Sequence, residues 1–150
     1  MISEYKKYHG TVFTELTEKS TTPIQIESLK GNYENSAYVV NNKVGVYIKY
    51  STSRLSPWKF SFQKKHQDTI LELRNILDRV MLILICGDDG IVGLSWESLK
   101  QVLNDEHEAI EWIRVSRPKG ANYRVFGSDG KLNSTITRHH FSDYILDFKS

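Results

Sequence analysis

Hydroxyls, cations and aromatic rings crowd one short stretch of this chain: Tyr50, Ser51, Thr52, Ser53, Arg54, Ser56, Trp58 and Lys59 follow Lys49 with no carboxylate among them. Cations and hydroxyls donate to phosphate oxygens, and flat rings stack on bases, so this mixture is one from which a nucleic-acid contact is built. The candidate contact set is Lys49, Ser51, Arg54, Trp58, Lys59, Lys64 and Lys65. Two of these carry a plainer reading. Lys49 also reads as a snorkelling lysine on an edge strand. Trp58, with Phe60 and Phe62 at alternate positions, also reads as a core anchor.

Other constellations fall short of chemistry. His139 and His140 are adjacent and have no carboxylate or cysteine partner at metal-ligand spacing. Asp88-Asp89-Gly90 opens like a calcium loop, but Leu99 stands at the twelfth position, where a bidentate glutamate is needed, so the segment reads as a turn. There is no Gly-x-Ser-x-Gly elbow, dinucleotide fingerprint or Walker loop, which removes the common hydrolase and nucleotide-dependent readings. His9 with Glu15, or His66 with Asp68, form an acid–base pair only if folding joins them.

The net charge of +2 hides an uneven distribution. Asn35 to Gln67 contains no acid and holds Lys43, Lys49, Arg54, Lys59, Lys64 and Lys65, while a second acid-free stretch, Trp112 to Ser128, holds Arg114, Arg117, Lys119 and Arg124. Whether these segments meet on one polyanion-binding surface or scatter over a solvated one is a question for the fold.

The elements that must position these residues follow from periodicity. Tyr8, Val12, Phe13 and Leu16 recur at helical spacing, and Ile24 to Ser28 alternates as a short strand. Ala37 to Val40 and Val44 to Tyr50 flank Asn41-Asn42, a pair that tolerates the positive φ of a tight hairpin. Trp58 to Phe62 reads as a strand or extended edge, and His66 to Val80 as an amphipathic helix with Ile70, Leu73, Leu77 and Val80 on one stripe. Met81 to Ile85 is a buried central strand. Ile91 to Leu94 returns as a strand, Ser95 caps a helix through Leu103, and Ile110 to Val115 pairs with Tyr123 to Phe126. The tail is a short helical or irregular segment. These elements predict one domain over residues 1–150, of α/β (α+β) class, with a mixed central β-sheet flanked by helices and an added C-terminal hairpin.

The order α, β, β, β, α, β, with Val46, Tyr47, Ile48, Lys49, Tyr50 and Ser51 on the strand before the second helix, resembles the PD-(D/E)XK restriction-endonuclease-like superfamily over residues 8–94. The resemblance implies a nuclease core in which two carboxylates hold Mg²⁺ beside a water that a lysine helps orient. Lys49 takes the lysine position. The acid expected two residues earlier is replaced by Tyr47, a phenol, which is a poor Mg²⁺ ligand. Glu34 upstream and Glu15 on the first helix are the carboxylates left to complete a catalytic set with Lys49, and Mg²⁺ is required only if that set forms.

Three functions remain open: a nucleic-acid-binding, restriction-endonuclease-like domain without an intact metal site; a protein-interaction, inhibitor or accessory module of a bacterial defence or mobile-element system; and an atypical Mg²⁺-dependent nuclease. The first two need no cofactor. Possible partners are DNA or RNA, another protein, or a second copy paired through the Trp58 to Phe62 edge. Met1 to Lys7 lacks an apolar signal core, no run is long enough to span a bilayer, and the lone Cys86 sits in an apolar strand, so a soluble cytoplasmic protein is expected, with no membrane partner.

Overall fold

A computed structural model describes residues 1–29, 35–104, 106 and 111–147. Among these residues, four helices and nine strands follow one another as α1 (Glu4–Lys19), β1 (Ile26–Ser28), β2 (Ala37–Val40), β3 (Val44–Ser51), β4 (Trp58–Phe62), α2 (Lys64–Ile76), β5 (Arg79–Cys86), β6 (Gly90–Ser95), α3 (Trp96–Val102), β7 (Glu111–Ser116), β8 (Arg124–Gly127), β9 (Gly130–Lys131) and α4 (His140–Leu146). Among the described residues, no helix is long and apolar enough to cross a membrane.

The class is α+β, with a mixed sheet flanked by helices as expected, and the strands divide between that sheet and a second, antiparallel one. The first runs β1-β2-β3-β5-β6, and the second runs β4-β7-β8-β9. In the first, β3 and β5 are parallel and every other neighbour is antiparallel. Asn41 and Asn42, with φ of 53° and 57°, make the tight turn between β2 and β3. The helix α2 then carries the chain from β4 back to β5, and it ends at Ile76 rather than Val80. Arg79 and Val80 belong instead to the ladder opposite Val44 and Gly45 of β3.

β4 leaves the first sheet because β3 has both neighbours taken, β2 on one side and β5 on the other. It pairs with β7 from Trp58↔Val115 to Phe62↔Glu111, so the C-terminal hairpin β7–β8 extends a second sheet of which β4 is an edge.

Burial explains why the strands have different sequence patterns. On one face of the first sheet, Val44, Val46, Ile48, Met81, Ile83 and Ile85 pack with Val12 and Leu16 of α1 and with Phe141 and Ile145 of α4. On the other face, Leu82, Leu84 and Cys86 pack with Trp58, Phe60, Ile113 and Val125 of the second sheet and with Leu73 and Leu99 of α2 and α3. β5 is therefore apolar at every position from Val80 to Cys86, as a strand covered on both faces must be. Gly93 of β6 lets α4 close in: a Cβ there would lie 2.5 Å from that of Phe141. Cys86 is fully buried, and burial pushes its thiol pKa up, away from reactivity.

The β5–β6 turn does more than reverse the chain. Asp89 accepts from Arg117 Nε at 2.7 Å and Arg117 Nη2 at 2.5 Å, and from the buried Tyr123 hydroxyl at 2.7 Å. This ties the first sheet to the second, and the Arg117 hydrogen bonds lead the causes that hold the Asp89 carboxyl below its usual range.

Candidate functional site

Lys49 lies near the end of β3, beyond the last residue paired with β2, Tyr47. The edge-strand reading does not hold: β3 lies inside the first sheet, and Lys49 pairs with Leu84 of β5. Its Nζ is 3.3 Å from Nδ1 of His66, in the first turn of α2, and 4.9 Å from the centre of the Phe62 ring. The Gln63 backbone N–H donates to the same His66 nitrogen at 3.0 Å. Two donors at Nδ1 make it the lone-pair nitrogen, which places the proton of a neutral ring on Nε2.

Lys49 and His66 border an open cavity of about 310 Å³ whose walls also include Tyr5 and His9 of α1, Asn35 and Tyr47. His9 is 3% exposed and shares a 2.7 Å hydrogen bond with the Tyr38 hydroxyl; burial lowers its pKa to about 4 and raises that of Tyr38.

The donor types decide what this cavity can hold. Tyr47, in the position of the expected acid, is 3% exposed and packs into the core. Imidazoles, phenols and an amide beside an ammonium do not match the carboxylate and water oxygens that Mg²⁺ prefers. Nor does α1 bring Glu15 to Lys49. That residue lies six positions past His9, about 9 Å along the helix and about 120° around it. Glu34 lies outside the described residues. Among those described, no group of three or more His, Cys, Asp or Glu side chains is placed to hold a metal.

The remaining contact candidates do not share one face. Phe62 points inward from β4 and carries Lys49 beside its ring, whereas Lys59 on the same strand points outward. Trp58 is a core residue, 2% exposed, with its Nε1 donating to the Ser53 carbonyl at 2.9 Å, so it offers no face to a base. The Ser51 hydroxyl accepts from the Ser53 N–H at 3.3 Å. Arg54 is exposed in the β3–β4 loop, and Lys64 and Lys65 are exposed at the start of α2, where Lys64 pairs with Asp68 at 2.9 Å.

What the fold does assemble is the outer face of the second sheet. Directly paired antiparallel residues share a face. The outward row therefore runs from Lys59 on β4 to Arg114 on β7, which is opposite Phe126 on β8, itself opposite Lys131 on β9. Trp112 and Arg124 flank that row on the same side. The Arg114 guanidinium lies 5.8 Å from the Trp112 ring centre and 5.4 Å from that of Phe126, and Lys59 Nζ lies 5.8 Å from Trp112. The eight outward strand positions carry four cations, two aromatic rings, two serines and no carboxylate. The one acid on these strands, Glu111, is buried and accepts from Ser128 Oγ.

Of this face, the sequence candidates included only Lys59. Arg114 and Arg124 were visible as members of the second acid-free stretch, and alternation through Trp112-Ile113-Arg114-Val115 marked which residues turn outward. Only the β4–β7 pairing joins the two stretches. Set beside protein-family models, curated proteins and solved structures, the chain matches none of them significantly.

Proposed function

We propose that this chain binds nucleic acid through the outer face of its second sheet. The observation that carries the reading is the composition of that face: four cations interleaved with two aromatic rings and no carboxylate on its eight outward positions. Such a surface favours a polyanion electrostatically and offers ring faces that a purely charged surface lacks.

The first sheet supports the resemblance to the PD-(D/E)XK restriction-endonuclease-like superfamily through α1, β1, β2, β3, α2 and β5, with β5 returning parallel to β3; β4 stands between β3 and α2 in the chain, so the Lys49 strand is separated from the second helix by a strand of the other sheet. Tyr47 in the place of the acid and the donor types around Lys49 favour binding without Mg²⁺-dependent cleavage.

Fluorescence polarisation with labelled DNA and RNA, at about 50 and about 200 mM salt, tests the proposal. Four phosphate contacts give a slope of log K against log salt of about −2.8 on single strands, so affinity falls about 50-fold over that range. Absence of binding at the lower salt overturns it. Affinity indifferent to salt redirects the search to a protein partner held by apolar contacts.

A further inference from the structure

The second sheet's outer face distinguishes two kinds of nucleic acid. A duplex keeps its bases stacked inside and presents phosphates, which engage cations and leave aromatic side chains on a flat face unused. A single strand offers each base as a ring face. Trp112 and Phe126 lie one pair apart on neighbouring strands, since Arg114 is opposite Phe126 and Trp112 precedes Arg114 by two. That diagonal spans about 7–8 Å, wider than the rise of about 3.4 Å between stacked bases. The two rings therefore suit bases splayed apart, one to each.

The cations complete this arrangement. Arg114 sits between the two rings, and Lys59 sits at the far side of Trp112, which places positive charge beside each ring, where the backbone of a strand stacked on it passes. At the Phe126 end, Arg124, Lys131 and the loop residues Asn133, Ser134 and Thr135 enclose a notch of about 280 Å³. Amide and hydroxyl groups there can hydrogen-bond a base edge, which a duplex would keep paired.

Resting on the nucleic-acid reading, we infer that this face takes single-stranded nucleic acid, with one base stacked on Trp112 and a neighbouring base seated in the notch over Phe126. Stacking is worth about 1–3 kcal/mol per base, which converts to about 5- to 150-fold in affinity for each ring removed.

The test compares labelled oligo-dT, oligo-U and a mixed-sequence DNA duplex against the wild type, Trp112→Leu, Phe126→Leu and the double variant Lys59→Gln/Arg124→Gln. The expected result is that both ring variants lose at least about 5-fold on a single strand, keep the wild-type salt slope and leave duplex binding unchanged. The double variant should instead flatten the slope by about 1.4. The oligo-dT and oligo-U arms show whether deoxyribose or ribose strands are preferred. Quenching of wild-type tryptophan fluorescence by oligo-dT, lost in Trp112→Phe, reads the same contact without a destabilising substitution. Single-strand binding that is insensitive to both ring changes, with no Trp112 quenching, overturns the stacking inference while leaving the cationic face in place. If no oligonucleotide binds even at about 50 mM salt, the nucleic-acid reading fails and the stacking inference with it.

Discussion

The two sheets differ in what covers them. The first has α1 and α4 on one face, and α2, α3 and the second sheet on the other, so its strands β3 and β5 are buried through most of their length. Among the described residues, the second sheet is covered on one face only, and Trp58, Phe60, Phe62, Ile113, Val115 and Val125 fill that side. Its other face is open and carries the cations and rings. The lysine singled out by resemblance sits on the first sheet among rings and imidazoles. The surface fit to meet a polyanion lies on the sheet whose sequence alternates. Where a strand is buried on both faces, side-chain choice answers to packing; where it is half-buried, every second position is left for function.

The largest effect should come from breaking the doubly covered sheet. Leu82 and Leu84 are fully buried in β5, and truncating either to alanine is expected to cost about 2–5 kcal/mol in urea unfolding. A loss below about 1 kcal/mol would contradict the packing between the two sheets. Gly93→Ala is the reverse perturbation, an added methyl against Phe141 and Met81, and should destabilise by about 1–3 kcal/mol.

The tie between the sheets should be weaker because it is partly exposed. Asp89→Asn is expected to cost about 1–2 kcal/mol at neutral pH, through loss of the charge that Arg117 and Tyr123 engage. Because the folded-state pKa of Asp89 lies below its unfolded value, the contribution is complete above the unfolded pKa of about 4 and disappears as pH falls through the folded one. The gap between wild type and variant in urea midpoint should therefore close in acid. A gap independent of pH would assign the effect to shape rather than charge.

His9 gives a second pH signature, on the helix side of the first sheet. Its folded pKa of about 4 lies below the usual value of 6.5, so the neutral ring is the one the fold accommodates. Stability should hold above pH 6.5 and decline as pH falls toward 4, and His9→Gln should flatten that decline. A wild-type profile already flat across this window would contradict the burial of the ring.

The smallest stability changes belong to the open face. Lys59→Gln and Arg124→Gln should each shift unfolding by less than about 0.5 kcal/mol, while reducing the salt slope of nucleic-acid binding by about 0.7 apiece on single strands. Stability losses as large as those in β5 would mean that the face is packed rather than open.

Much of this could be read along the chain, because local physics places it there. The apolar run at Met81 to Ile85 announced a strand covered on both sides, the Asn41-Asn42 pair announced its hairpin, and Ser95 accepts from the Ser98 N–H at the start of α3 as expected of a cap. Periodicity overextended α2, because a stripe of apolar residues continues from Leu77 into Val80 whether the chain stays helical or enters a ladder. The core reading of Trp58 was available from its alternation with Phe60 and Phe62. Alternation alone shows that a ring lies opposite lysine, not which of the two sides meets water.

The sequence by itself determined most of the elements, the α+β class and the two acid-free stretches, since these depend on side-chain type and near-neighbour spacing. Tertiary structure alone decided that β4 leaves its sequence neighbours to pair with β7, and that Lys49 and Lys59 part to different sides of that strand. It also decided that Glu15 lies about 9 Å along α1 and about 120° around it from His9, which borders the Lys49 cavity. Pairing over long separations depends on which strand edge is vacant and which face finds an apolar partner, and both are properties of the assembled chain.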